Sequence, residues 1–445
     1  MQYKAYTVRN FRSIPQIKAL PESTKKEMEI VARVLPFKSN TYVVEQLINW
    51  DNYENDPIFK LTFPVKEMLS DIHYNKIEEA VKADMPENQL RVLCDEIKME
   101  LNPHPAGQLA LNIPTLDGEK LEGIQHKYEE TVLFFPSQGQ TCHAYCTFCF
   151  RWPQFSGLEG MKISAKEAQN LGRYLKAQKK VTNILFTGGD PLVMKTKVLA
   201  RYIEELLKPE FDHIHTIRIG SKALSYWPYR FLTDDDAGEL LDLFRKVTAA
   251  GKHITLMAHF NHPVELSTKA VKDAIKLVRA SGAEIRTQSP IMKHINDSAK
   301  VWAKMWRLQA SMGCIPYYMF MARDTGAKQY FDVPIEKAHD VFRTAYSKVS
   351  GVARTARGPV MSAAPGKVHI VGMSEVNGQK IFVLQFIQAR NPDWVKRPFF
   401  AKYDPEASWL TDLQPAFGEE KFFWQEEFEE MSHLSLKTAA NQEEE

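Results

Sequence analysis

The chain has 445 residues, of which 44% are hydrophobic and 25% charged, a balance typical of a globular protein. Its 57 Lys and Arg nearly cancel its 55 Asp and Glu, so charge gives no reason to expect binding to nucleic acid or to a membrane surface. No apolar run reaches the roughly 18 residues of a membrane span, and the start, MQYKAYTVRNFRSIPQ, lacks the apolar segment of an export signal. We therefore expect a cytoplasmic protein, and one without a disulfide framework because only Cys94 and Cys314 lie outside one cysteine cluster.

Residues 1–125 are predicted to form a mostly helical N-terminal region. Apolar residues recur at helical spacing in STKKEMEIVARVL (23–35) and again in QLRVLCDEIKMEL (89–101). A loop rich in Pro and Gly, NPHPAGQ (102–108), follows the second of these segments.

Residues 126–330 are predicted to form an α/β core. Six short apolar runs lie at 131–136, 183–189, 215–221, 253–259, 284–290 and 314–320. The last five start 32, 38, 31 and 30 residues apart, with helix-like stretches between them, as successive βαβ units require. This pattern predicts a partial or closed (β/α)6 barrel, in which chemistry takes place at the carboxyl ends of the strands.

Residues 331–445 are predicted to form an irregular C-terminal extension. It contains one clear strand pattern, KIFVLQF (380–386), and an acidic amphipathic tail.

The segment TCHAYCTFCFRW (141–152) carries Cys142, Cys146 and Cys149 in the pattern C-x3-C-x2-C. Zinc normally takes four ligands in two close pairs; the sequence has no second such pair, although His143 could serve as a fourth ligand. Three buried structural cysteines are another reading. A third is a [4Fe–4S] cluster, normally held by four thiolates, in which three protein ligands leave one iron open.

The cysteine pattern follows a predicted strand and resembles the signature of radical S-adenosylmethionine (SAM) enzymes, in which SAM chelates the open iron. LFTGGDPL (185–192) ends the next strand, where that family has a GGE-like motif for the amino group of SAM. The resemblance therefore implies cofactor contacts from Gly188, Gly189 and Asp190. By itself, a Gly-Gly turn ending a strand is the simpler reading.

Three further strand ends narrow the resemblance. IRIGSKALSYWPYRF (217–231), HFNHPVEL (259–266) and TQSPIMKHIND (287–297) resemble segments of the lysine 2,3-aminomutase family, over about residues 100–370. The resemblance implies SAM contacts from His259 and Gln288, with Ser221 nearby. For an isolated histidine, an ordinary polar loop would be the alternative.

Members of that family also use pyridoxal phosphate (PLP), held by a lysine, while an amino group migrates from the α- to the β-carbon. The resemblance assigns that lysine to Lys367 in AAPGK; an exposed lysine after a turn is the alternative. The sequence departs from the family pattern for PLP binding at two places. The glycine run before Lys367 is shorter, and a PLP-binding arginine upstream of the cysteines is replaced, with Lys127 a partial substitute.

The resemblance assigns the substrate carboxylate to Arg151, whose fork of donors suits that task. Lysine-specific relatives hold the distal ammonium with two aspartates, and the matching positions here are Arg323 and Ala363. An arginine repels an ammonium, so a glutamate-like substrate is expected instead of lysine. A one-residue shift would place Asp324 there and restore a partner for a cation. The zinc cysteines of the family are absent, and Cys314 is predicted to be a core residue.

The leading hypothesis is a PLP-dependent radical SAM 2,3-aminomutase, an isomerase that acts on a small amino acid. It implies an electron donor such as flavodoxin or ferredoxin and is compatible with a homo-oligomer. A radical SAM enzyme without PLP, acting on another or a protein-bound substrate, is the second hypothesis. A binding protein with a zinc or structural iron site is the third.

Overall fold

The computed structural model describes residues 1–103, 111–158, 164 and 168–441. The N-terminal region is helical, as predicted, with one short antiparallel pair, β1 (Ala5–Thr7) and β2 (Lys38–Asn40). Its α-helices are Pro15–Lys18, Glu22–Val31, Pro57–Thr62, Asp71–Lys82 and Glu87–Glu100. The second and the last of these confirm the helices expected at 23–35 and 89–101. Their apolar faces form a hydrophobic core separate from that of the barrel.

A hairpin of β3 (Thr115–Leu116) and β4 (Glu119–Lys120) precedes the main sheet. That sheet begins with β5 (Ile124–Tyr128), which pairs antiparallel to the first parallel strand. The parallel strands are β6 (Thr131–Phe134), β7 (Asn183–Phe186), β8 (Thr216–Ser221), β9 (His253–His259), β10 (Glu284–Ile291), β11 (Ile315–Met321) and β12 (Arg357–Ser362). Six of them confirm the six predicted strands.

Helices connect the parallel strands, as the βαβ spacing predicts. They are Ala168–Ala177, Thr196–Glu205, Ala237–Ala249, Lys269–Ala280, Ala299–Ser311 and Ile335–Ser347, with short helices at Ala223–Tyr226 and Lys328–Phe331. Their apolar sides and the sheet form the main core, which includes Cys314 at 3% exposure, as predicted. No helix in the described ranges is long and apolar enough to cross a membrane.

The C-terminal region is more regular than its sequence indicated. Three antiparallel strands, β13 (Gly366–Val376), β14 (Gln379–Ala389) and β15 (Pro398–Lys402), extend the same sheet, and the helix Gln425–Asn441 follows. The prolines and glycines of ARGPVMSAAPGKV hid β12 and the start of β13, since these residues are uncommon inside strands. One sheet therefore crosses residue 330, and the division into three domains stays a prediction.

The described part of the sheet is open, with β5 and β15 at its two ends, so the barrel is partial. Side chains nevertheless bridge the gap between β5 and the β12–β13 turn. Lys127 Nζ donates to Ala363 O at 2.6 Å, and Arg390, which donates to Ala364 O in the turn, also donates through Nη2 to Asn112 Oδ1 on the side of β5. The inner face of the sheet is therefore enclosed from both sides of the gap.

Candidate active site

The three cysteines of the predicted cluster lie in the loop that follows β6. All three are free thiols, and burial raises the pKa of each, that of Cys146 to about 12. The backbone N–H of Cys149 donates to the carbonyl of Cys146 at 3.1 Å. Because a coordinated metal deprotonates thiols outright, their high pKa values describe the metal-free loop and do not prevent ligation.

The N-terminal region holds this loop in place from outside the barrel. The contacts are Tyr145 N to Lys38 O (2.7 Å), Thr147 N to Leu61 O (3.0 Å), Asn40 Nδ2 to His143 O (3.1 Å) and Tyr3 Oη to His143 O (2.8 Å). Each bond satisfies a backbone group of the loop that would otherwise lack a partner. Sequence reasoning missed this bracing, because it depends on contacts between residues about a hundred positions apart.

The glycines after β7 allow the cysteine loop to pass close by. A Cβ at Gly189 would lie 2.4 Å from the carbonyl oxygen of Thr141, and one at Gly188, where φ is +143°, would lie 2.4 Å from Gln140 Nε2. Two bonds join the segments: Gly189 N donates to Gly139 O at 3.0 Å and Asp190 N to Thr141 O at 2.7 Å. The Gly-Gly pair is therefore required by the loop itself, whatever it contributes to a ligand.

The Asp190 carboxylate is 2% exposed and connects two segments, its own turn after β7 and the end of β8. It accepts from Ser221 Oγ, from the N–H of Lys222 and from the N–H of Leu192, each at 2.9 Å. The carboxylate thereby fixes the end of β8 against the end of β7. A direct contact of Gly188, Gly189, Asp190 or Ser221 with SAM stays a prediction.

His259 and Gln288 lie side by side at the ends of β9 and β10. They are register partners, and Gln288 Nε2 lies 2.7 Å from His259 Nε2. Burial lowers the pKa of His259 to about 3, and the nearby cations Lys222 and Arg151 lower it further. The imidazole is therefore neutral, and one ring nitrogen accepts from the Gln288 amide.

Arg151 and Arg323 are half-buried residues whose guanidinium groups lie close to each other. The rings of Phe135 and Phe150 lie 4.5 and 5.3 Å from the Arg151 guanidinium, and that of Phe150 lies 5.4 Å from Arg323. Arg151 Nη1 and Arg323 Nε are buried without a hydrogen-bond partner. Burial lowers the pKa of Arg151 to about 10, with the Arg323 charge lowering it further. Such donors are complementary to an anion.

Lys367 lies near the start of β13 with its amine on the inner face of the sheet. Nζ donates to Gln388 Oε1 at 2.8 Å and lies 5.4 and 5.2 Å from the ring centroids of Tyr128 and Tyr318. Burial lowers the pKa of Lys367 to about 7, and two nearby arginines contribute. A large fraction of this amine is therefore uncharged and nucleophilic near neutral pH.

The side chain of Lys127 lies near Arg323 of the arginine pair and near Lys367. Burial lowers its pKa well below the ordinary lysine value, and the charges of Arg390, Arg323 and Lys367 act in the same direction. We call Arg151, Arg323, Lys127 and Lys367 the cationic cluster. A glutamate or aspartate bound there would meet the positive charges of the two arginines in a desolvated setting.

The predicted site residues thus form two adjoining groups. The cysteines, the Gly-Gly-Asp segment, Ser221, His259 and Gln288 lie at the carboxyl ends of β6 to β10. Arg151 connects them to the cationic cluster, because it influences the titration of His259 and is itself influenced by Cys149 and Arg323. Sequence reasoning missed Lys222, Tyr226 and Glu265, although Lys222 follows a predicted strand end directly.

The residues also fit the implied cofactors chemically. Three desolvated thiols on one loop are the soft donors that an iron–sulfur cluster takes. Within the described residues, no three His, Cys, Asp or Glu side chains converge to hold a metal ion as they stand. A buried amine of lowered pKa, with cations around it, suits an aldehyde cofactor that carries a phosphate.

Comparisons with known proteins agree with this geometry. Residues 137–301 match the model of the Radical SAM superfamily. A "Putative L-lysine 2,3-aminomutase" of Aquifex aeolicus is 32% identical over 405 residues, which cover 91% of this chain and 95% of that protein. An L-lysine 2,3-aminomutase of Bacillus subtilis is 24% identical over 78% of this chain and 63% of its own length.

A solved radical SAM methyltransferase of Sphaerobacter thermophilus is 14% identical over 66% of this chain and 94% of that one, with a TM-score of 0.37, a likeness too distant to carry an argument. The similarity to the Aquifex protein extends beyond the 100–370 segment that the motifs indicated. The chain belongs to the lysine 2,3-aminomutase family of radical SAM enzymes, which are isomerases that use a [4Fe–4S] cluster and SAM.

Proposed function

We propose that this enzyme is a PLP-dependent 2,3-aminomutase whose substrate is a free amino acid with an anionic side chain, glutamate-like instead of lysine. One observation carries the proposal: Arg151 and Arg323 lie half-buried beside each other, and each has a buried side-chain nitrogen without a hydrogen-bond partner. Two neighbouring cations in a desolvated site repel each other, so a ligand with two carboxylates relieves both groups at once.

Whether the substrate has a cationic or an anionic side chain depends on the residue at position 323. Arg323 lies against Phe150 and close to Arg151 and Lys127, so its guanidinium belongs to the cationic cluster. Burial lowers the pKa of Arg323, and the nearby Asp324 carboxylate partly offsets that shift. The structure thus favours the register with Arg323 in the substrate site, and an ammonium there would add to the repulsion.

When bound, the cluster and SAM supply the radical chemistry, and PLP supplies a conjugated system on the substrate nitrogen through which that nitrogen migrates. Cys142, Cys146 and Cys149 ligate the cluster. Arg151 binds the α-carboxylate beside the cysteine loop, and Arg323 binds the side-chain carboxylate, which fixes the direction of the substrate.

Lys367 would hold the aldehyde cofactor through Nζ. Its pKa of about 7 keeps a large fraction of the amine unprotonated near neutral pH without a separate base. Gln388 Oε1 accepts a hydrogen bond from Nζ and orients the amine. The neutral His259–Gln288 pair contributes hydrogen-bonding groups for SAM without adding charge.

The test is substrate-dependent SAM turnover by the reduced, anaerobic holoenzyme, with PLP present. Glutamate is expected to stimulate turnover and to yield the 3-amino isomer, whereas lysine at equal concentration is not. Turnover with lysine in preference to glutamate would overturn the assignment of the side-chain charge.

A second candidate is a radical SAM reaction without PLP, on another or a protein-bound substrate. It is favoured by the engagement of Lys367 with Gln388 and by the tight packing of Gly366, where a Cβ would lie 2.5 Å from Gln388 O. Borohydride reduction after PLP addition, followed by peptide mapping, separates the two. PLP dependence predicts an adduct at Lys367 that Lys367→Arg removes and that Lys402→Arg, at an exposed lysine of β15, retains.

A further inference from the structure

Tyr226 places its hydroxyl beside one of the cluster cysteines. It ends the short helix Ala223–Tyr226, is 1% exposed, and its Oη lies 3.9 Å from Cys146 Sγ. The backbone carbonyl of Tyr226 accepts from Asn40 Nδ2 at 3.0 Å, so the residue is held at both ends. Once Cys146 is a thiolate on iron its sulfur has no proton, and only the tyrosine can donate.

Lys222 lies over the face of that tyrosine. Its Nζ is 3.8 Å from the centroid of the Tyr226 ring, a cation–π contact in a site shielded from water. The ammonium is fixed by an ion pair with Glu265, which is fully buried, and by a bond to Ser225 Oγ at 3.2 Å. A cation on the ring face draws electron density from the phenol, which makes its O–H a stronger donor.

The negative charge of Glu265 does not cancel this arrangement. The Glu265 carboxylate also binds backbone N–H groups of Asn261 and His262, which keep it on the side of β9. The Lys222 ammonium, by contrast, lies over the Tyr226 ring, whose hydroxyl faces Cys146 Sγ.

We propose that Lys222 and Tyr226 are positioning residues that raise the reduction potential of the cluster through Cys146. Reduction adds an electron to the cluster, and a hydrogen bond to a ligating sulfur together with a nearby positive charge stabilises the added charge. Neither residue touches the reacting atoms of substrate. The pair makes the one-electron reduction that precedes SAM cleavage easier for a protein donor.

The test is an anaerobic redox titration of the reconstituted holoenzyme, followed by the electron paramagnetic resonance signal of the reduced cluster, without substrate or PLP. Tyr226→Phe and Lys222→Met are each expected to shift the midpoint potential to more negative values. Lys222→Arg keeps the positive charge, so its midpoint potential should stay close to that of the unaltered enzyme. In the double variant, the shift is expected to be smaller than the sum, because Lys222 acts partly through Tyr226.

Tyr174→Phe is the matched control, since this buried hydroxyl lies 2.6 Å from His126 Nδ1 on β5, outside the cysteine loop. Iron and sulfide content shows whether each variant retains its cluster. If Lys222→Met loses the cluster, Tyr226→Phe decides alone, because it removes one oxygen and leaves the packing intact. Unchanged potentials in a Tyr226→Phe protein with a full cluster would overturn the proposal, and this result is independent of substrate and PLP.

Discussion

The two adjoining groups of the candidate active site differ in whether their charged side chains have partners within the protein. At the ends of β7 to β10 the buried charges have protein partners: Asp190 accepts three hydrogen bonds, and Lys222 pairs with Glu265. In the cationic cluster, by contrast, Arg151 Nη1 and Arg323 Nε have none. The first group is fixed before any ligand arrives, whereas the second stores repulsion that an anion relieves.

Under the proposed function, the first group positions the radical source and the cationic cluster selects the substrate. Changes in the first group should impair the cluster whatever substrate is offered. Changes in the cationic cluster should leave the cluster intact and alter the choice or affinity of the substrate. The predictions below use that separation, from the largest effect to the smallest.

Cys146→Ala is expected to abolish SAM cleavage. Removing one of three thiolate ligands should reduce activity beyond the roughly 10- to 100-fold loss typical of changes in outer-shell partners. Iron and sulfide content and 5′-deoxyadenosine formation measure the effect. Cys314→Ala, at a core cysteine far along the chain, is the control that should keep its cluster. A Cys146→Ala protein with a normal cluster would contradict the assignment.

Arg323→Gln is expected to raise KM for glutamate about 100-fold while cluster content and potential stay unchanged. Loss of one charge from a buried carboxylate–arginine pair costs about 2–5 kcal/mol, and each 1.4 kcal/mol is about a factor of ten. The matched control is Arg343→Gln, an exposed arginine paired with Asp340. If Arg323→Gln leaves the glutamate KM unaffected and Asp324→Asn instead impairs turnover of lysine, position 324 carries the contact and the side-chain assignment is wrong.

The parts of the fold that repeat were predictable from sequence. The βα spacing and the runs 183–189 to 314–320 gave β7 to β11, since buried parallel strands are continuous apolar segments. The bracing of the cysteine loop by Lys38 and Leu61 was not, because it joins backbone groups distant in sequence. Motifs located Arg151 and Lys367, but only the fold shows that Lys127 joins them.

Gly189→Ala tests the close approach between the backbone at Gly189 and that of Thr141 in the cysteine loop. The new Cβ would meet the Thr141 backbone at 2.4 Å, and since backbone cannot rotate away the free energy of unfolding should fall by about 1–3 kcal/mol. Urea denaturation measures this loss, and the iron content should fall with it. Gly238→Ala is the control: this glycine lies in the helix Ala237–Ala249 with open space around it, so alanine should stabilise by about 0.5–1 kcal/mol. Equal effects at both glycines would show that the contact with Thr141 is not required.

The pH dependence of PLP capture tests the cationic cluster. Because burial lowers the pKa of Lys367 to about 7, the yield of borohydride-trapped adduct should be constant above that pH and fall about tenfold per unit below it. A midpoint near the ordinary lysine value of about 10.4 would contradict this prediction.

The free energy of unfolding should also depend on the titration of Lys367. Between about 7 and the unfolded value of about 10.4 the unfolded chain binds the proton and the folded one does not, so the contribution of Lys367 to stability rises with pH across that window. Lys367→Met should remove this rise, and Lys402→Arg should retain it. Because an anion that fits the cluster favours protonated Lys367, saturating glutarate, a dicarboxylate without an amine to compete for PLP, should move the capture midpoint upward, which ties the substrate charge to the cofactor lysine in one measurement.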